Sequence, residues 1–94
     1  MTFQNEEVEN FIELFNQVKQ KIRHFEGCQN LDLLRDVKNS NVFFTYSYWE
    51  SEKHLNNYRT SELFAETWAA TKAKFSDKAE AWSVNHFIGT FDNN

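Results

Sequence analysis

From Asn5 onward the apolar positions Val8, Phe11, Ile12, Phe15, Val18 and Ile22 recur at steps of three and four, the period of a helix with one buried stripe. Glu6, Glu7 and Glu9 crowd its start and Lys19, Lys21, Arg23 and His24 its end, the charge order that the helix dipole favours. Gly27 supplies a stop signal. Beyond it the period changes to two. Leu31, Leu33 and Arg35 alternate with Asn30, Asp32, Leu34 and Asp36, which predicts a strand over residues 28–36.

The polar run Lys38-Asn39-Ser40-Asn41 reads as a turn, and Val42 to Trp49 is β-branched or aromatic almost throughout, so the two segments form a hairpin. Ser51 and Ser61 are placed as N-caps, the first for a short helix carrying Leu55 and Tyr58, the second for one carrying Leu63, Phe64, Trp68, Thr71 and Phe75. Ala81 to Ile88 alternates as a last strand. The order is that of an α+β, βαββαβ domain spanning residues 1–94, with one element short. Only Met1 to Gln4 precede the first helix, so the opening strand is either truncated or a stub.

Ten Phe, three Trp and three Tyr in 94 residues are more large apolar surface than a monomer of this size readily hides. In the strand 42–49, Phe44, Tyr46 and Tyr48 stand opposite Phe43 and Trp49, so both faces need cover. Helices cover one. A second copy is the simplest cover for the other, which predicts a homodimer with an aromatic pocket between sheet and helices or inside a shared barrel. The net charge of −4 and the absence of a Lys/Arg-Gly-aromatic signature disfavour nucleic acid as a partner. A lone Cys28 makes no intramolecular disulfide, and no leader or long apolar run argues for export or a membrane, leaving the cytoplasm as the expected location. With no Pro and two Gly there is no internal linker.

The segments Phe-Phe-Thr-Tyr-Ser-Tyr-Trp-Glu-Ser-Glu at 43–52, Leu-Asn-Asn-Tyr-Arg at 55–59 and Ser-Glu-Leu-Phe at 61–64 are similar to those of the antibiotic biosynthesis monooxygenase family, and the chain resembles its quinol-monooxygenase-like members from Phe3 to about Phe87. The resemblance implies a ferredoxin-like domain, a dimeric α+β barrel, and oxygenation of a quinol or polycyclic phenol without metal or flavin. Haem-degrading relatives carry a Trp and a His where this chain has Tyr58 and Trp68, so haem degradation is not implied.

Triplet dioxygen reacts slowly with closed-shell organics, so an oxygenase without a cofactor must stabilise an electron-rich substrate anion; the protein supplies an apolar cavity, a proton acceptor and donors to the oxyanion. His86, on the same side of the last strand as Trp82, Val84 and Ile88, is the candidate base, with a packed or solvated histidine as the competing reading. Tyr58 and Trp68, on the segment that in the family closes over the pocket, are the other catalytic candidates. Tyr46, Tyr48, Asn57 and Phe64 are candidate substrate contacts, although the tyrosines and Phe64 equally suit core or interface and Asn57 equally suits solvent. His24 reads as a dipole complement and His54 as a solvent-facing position. Three scattered histidines and one cysteine have no zinc-like spacing, so no metal and no other cofactor is expected. The same dimer without catalysis, as a binding or stress-response module for a small aromatic molecule, is the alternative function.

Overall fold

The computed structural model describes residues 1–77. A 3₁₀ turn at Asn5–Glu7 leads into helix α1, Val8–Arg23, whose stripe buries Val8, Phe11 and Ile22. The helix ends where the dipole pattern places it: the His24 backbone N–H bonds to the Gln20 carbonyl at 3.0 Å, and its ring Nδ1 lies 2.7 Å from the same oxygen. Gly27 then turns the chain at φ +87°, a left-handed conformation that a Cβ disfavours. The turn is pinned by the Glu50 N–H, which donates to the Gly27 carbonyl at 2.7 Å.

Strands β1 (Cys28–Arg35) and β2 (Phe43–Trp49) pair antiparallel, with Leu31 opposite Ser47, Leu33 opposite Thr45 and Arg35 opposite Phe43. The register shifts between Cys28 and Asn30, where Gln29 is the extra residue of a bulge. The alternation predicted through residue 36 stops at Arg35 because Asp36 turns the chain itself. Its Oδ2 accepts from the Lys38 and Asn39 backbone N–H groups at 2.9 and 2.8 Å. Those two bonds also hold its carboxyl below the usual aspartate range.

The opening strand is present as a stub. Phe3 N–H donates to the Asn41 carbonyl and Phe43 N–H to the Met1 carbonyl, both at 2.9 Å; on the other side Gln4 N–H reaches Lys74 O at 3.0 Å and Ser76 N–H reaches Thr2 O at 2.9 Å. Two residues thus pair in both directions, Thr2 with Val42 and Phe3 with Phe75. Phe3 is fully buried and carries the core: its ring stacks on Phe11 at 4.1 Å and meets Phe75 and Phe43 edge-on at 5.1 and 5.8 Å. Ile12, Phe15 and Leu33 pack around this centre.

Helices α2 (Glu52–Arg59) and α3 (Glu62–Lys72) start at the two predicted caps, with His54 N–H donating to Ser51 Oγ at 3.2 Å and Phe64 N–H to Ser61 Oγ at 3.1 Å. No helix among the described residues is long and apolar enough to cross a membrane. The strand predicted over 81–88, with His86, lies outside the described residues.

His54 departs from its expected solvent-facing role. Its ring packs over Gly27, hydrogen-bonds Ser51 Oγ through Nδ1 at 2.7 Å and faces Glu50 and Glu26 at 3.5 and 3.9 Å through Nε2. A Cβ at position 27 would collide with the base of that ring. Gly27→Ala is therefore expected to cost about 2 kcal/mol or more, the left-handed penalty plus displacement of His54, read as a lower denaturant midpoint at unchanged slope.

Candidate functional site

Between the sheet and the helices lies a cavity of about 150 Å³. Its walls follow from the parity of each element. Leu31, Thr45, Ser47 and Trp49 project from the sheet on the side that also buries Phe43. Helix α1 presents Phe11, Leu14, Phe15, Val18 and Ile22 from its apolar stripe. Helices α2 and α3 close the far side with Tyr58, Phe64, Thr67, Trp68 and Thr71, and Met1 completes the lining. The void falls where β2 carries its smallest side chains, Thr45 and Ser47, between the large rings of Phe43 and Trp49.

The roof is a chain of aromatic rings. Tyr58 stacks on Trp49 with centroids 5.1 Å apart and meets Phe25 and Phe64 edge-on at 5.4 and 5.2 Å. Phe64 lies parallel to Trp68 at 6.1 Å, and Trp68 meets Phe75 at 5.6 Å. Trp49 Nε1 donates to Ser47 Oγ at 3.0 Å and Thr71 Oγ1 to the Thr67 carbonyl at 2.7 Å, so two of the polar lining groups are already satisfied. The Tyr58 hydroxyl has no hydrogen-bond partner among the described residues. Burial, with a smaller push from the neighbouring Cys28, raises its ionisation from 10 to about 12. It is a neutral donor over the whole physiological range. Burial also pushes the Cys28 thiol up, against a smaller pull from Arg23.

The structure brings Tyr58, Phe64 and Trp68 together in the cavity wall, as expected from the sequence. It puts Tyr46 and Tyr48 elsewhere. Both project from the opposite face of β2, where their hydroxyls hydrogen-bond each other at 3.1 Å, and neither lines the cavity. Alternation is the reason: positions 46 and 48 cannot share a face with 45, 47 and 49. Asn57 is exposed on α2, one position before Tyr58 and turned away from the lining. The sequence reading missed Trp49, Thr45, Ser47 and Thr67. A signal for the sheet-side residues was present in the change of side-chain size along one face of β2.

These features define a class, an α+β domain with a small apolar cavity between an antiparallel sheet and its helices. The chain belongs to the antibiotic biosynthesis monooxygenase family, whose profile matches residues 1–70, and it has that family's ferredoxin-like fold. Among solved structures it is similar to a conserved protein of Methanosarcina mazei Go1 at a TM-score of 0.79 and 19% identity, covering 84% of this chain and 78% of that one. An antibiotic biosynthesis monooxygenase superposes at 0.75 and 18% identity over 87% of this chain and 92% of its own. A Pseudomonas aeruginosa protein does so at 0.70 and 19% identity, over 82% and 78%. At these identities the likeness is one of fold. No curated protein matches the sequence.

The Tyr58 environment has a direct optical consequence. The folded chain holds this proton to about pH 12, whereas an unfolded chain releases it near 10, so between those values the native state binds the extra proton and its stability falls as pH rises. In a tyrosinate absorbance titration, the difference between the parent and Tyr58→Phe is expected to show one phenol titrating near 12; a midpoint near 10 would contradict the burial described above.

Proposed function

We propose that the protein is a quinol-type monooxygenase that oxidises a quinol or phenol held in the cavity, using dioxygen directly and working as a homodimer. The observation that carries this reading is the cavity itself: apolar, roofed by Trp49, Tyr58, Phe64 and Trp68, and free of carboxylate and imidazole side chains among the described residues. Such a space offers a flat aromatic ring an apolar roof to stack against, above a floor at Thr45 and Ser47 that is exposed. A quinol and dioxygen give a hydroxyquinone and water, with the substrate supplying all four electrons. The protein's part is to bind the ring, accept its proton and donate to the oxyanion. His86 is the proton acceptor in this reading, Tyr58 the donor, and Trp68 and Phe64 the roof. With its proton held to about pH 12, Tyr58 is unsuited to act as a base at neutral pH and suited to donate.

The dimer rests on the outer face of the hairpin. Leu34, Phe44, Tyr46 and Tyr48 are 42–50% exposed on one continuous side of the sheet, with Tyr46 and Tyr48 packed edge-on at 5.2 Å. A second copy laid against this face covers it and gives the barrel that the family resemblance implies. Phe44→Glu is expected to convert the dimer to monomer in sedimentation equilibrium, with the far-ultraviolet spectrum preserved; an unchanged dimer would remove this face from the interface.

The same lining supports a second reading, since it offers no proton acceptor among the described residues: a dimer that binds a small aromatic molecule without converting it. Oxygen uptake by the metal-stripped protein with a panel of hydroquinones separates the two. Turnover that falls by about 10²-fold or more in His86→Ala, the range for loss of a general base, is the expected result. No turnover with any of the panel rejects the monooxygenase reading in favour of binding alone.

A further inference from the structure

We infer that Ser47, oriented by the indole of Trp49, is a second donor to the oxygen of a bound phenol and stabilises that oxygen when it carries negative charge, an inference that rests on the aromatic-binding reading above and deepens it. Trp49 Nε1 donates to Ser47 Oγ at 3.0 Å, and both side chains line the cavity from the inner face of β2. A hydroxyl that accepts a hydrogen bond still has its own proton to give, and accepting makes that proton a better donor. The Ser47 O–H has no acceptor among the described residues. The other cavity hydroxyls differ. Thr71 spends its proton on the Thr67 carbonyl at 2.7 Å, and the hydroxyls of Thr45, Thr67 and Tyr58 have no hydrogen-bond partner among the described residues, so nothing there orients their protons. Ser47 is the one lining hydroxyl among the described residues that a neighbour both orients and leaves free to donate.

Its position suits the same task. The floor at Ser47 is exposed, so a ligand oxygen reaches it by displacing water. Trp49 is also the ring on which Tyr58 stacks, at 5.1 Å and 23°. One indole thus supports the roof with its face and holds Ser47 with its N–H, which puts the serine hydroxyl at the rim of the surface a ligand ring lies against. Removal of the phenol proton, by His86 in the reading above, breaks the ligand O–H bond and leaves its electron pair on the oxygen. A donor already oriented meets that charge without reorganising, and a hydrogen bond to the anion is stronger than one to the neutral phenol. Ser47 therefore acts on ionisation of the ligand more than on its capture.

The probe is 4-nitrophenol, whose anion is coloured, so that ionisation is read on the bound ligand whether or not oxidation occurs. With the full chain in saturating excess, Ser47→Ala is expected to raise the pKa of the bound probe by about one pH unit, tenfold in its ionisation constant. Ser47→Thr, which keeps an O–H, is expected to stay near the parent value. Trp49→Phe retains a ring for Tyr58 to stack on and removes the N–H; it is expected to raise the pKa by a smaller step, and to add nothing in the Ser47→Ala background. A pKa unmoved by Ser47→Ala, or a Trp49→Phe step that persists in the Ser47→Ala background, overturns the inference, as does failure of the parent chain to bind the probe. A pKa that moves as described, in a protein that takes up no oxygen with any hydroquinone, sustains the inference and rejects the monooxygenase reading. Oxygen uptake that survives Ser47→Ala unchanged, with the probe pKa also unmoved, does the opposite.

Discussion

Strand β2 alternates, and nearly everything else in the molecule depends on where that alternation falls. Odd positions face the helices and even positions face away. On the inner side the order is Phe43, Thr45, Ser47, Trp49: a ring, two small hydroxyl residues, a ring. The first ring joins the core around Phe3, the last joins the roof with Tyr58, and the gap between them is the cavity. On the outer side Phe44, Tyr46 and Tyr48 are about half exposed, covered by no element among the described residues. A one-residue slip would place three large rings in the space and leave the hydroxyls outside, closing the cavity and erasing the exposed face together.

The roof keeps its position through contacts that lie outside the cavity. Helix α2 starts at the Ser51 cap, and the first turn carries His54, whose ring sits on Gly27 and between Glu26 and Glu50. The Gly27 carbonyl in turn accepts from Glu50. Exposed ion pairs of this kind contribute little individually. The fit of ring on glycine contributes more, because it leaves one arrangement of the helix start relative to the hairpin and so one position for Tyr58 one turn later. Trp49 then serves two purposes, ending β2 and supporting Tyr58 by stacking.

Much of this architecture was legible in the sequence. The stripe of α1, both serine caps, the glycine stop and the hairpin all have local causes, namely the apolar period, a hydroxyl before an acidic turn, and a residue without a Cβ. Tyr58, Phe64 and Trp68 were legible as a pocket wall because helix spacing places them on one side. Tyr46 and Tyr48 lie away from the cavity for a physical reason: alternation puts them on the other face of β2, and a void forms where side chains are small and their neighbours large. Asn57 lies outside the cavity for a related reason, since adjacent helix positions point about 100° apart and Tyr58 takes the inward direction. His54 was invisible as a packed residue because its partner is a glycine far away in sequence, and nothing in local periodicity reports a missing Cβ.

The stub at Met1–Gln4 ties Thr2 and Phe3 to Val42 on one side and to Phe75 and Ser76 on the other. During synthesis Phe3 leaves the ribosome well before the ring that closes over it, which is 72 positions later. The hairpin and the helices can form as they emerge, from contacts within each segment. The centre of the core cannot. Until Phe75 arrives, the most deeply buried of the described residues is an exposed phenylalanine on a nascent chain, and during synthesis that exposed ring is where a chaperone would bind and where misassociation with a neighbouring chain would begin.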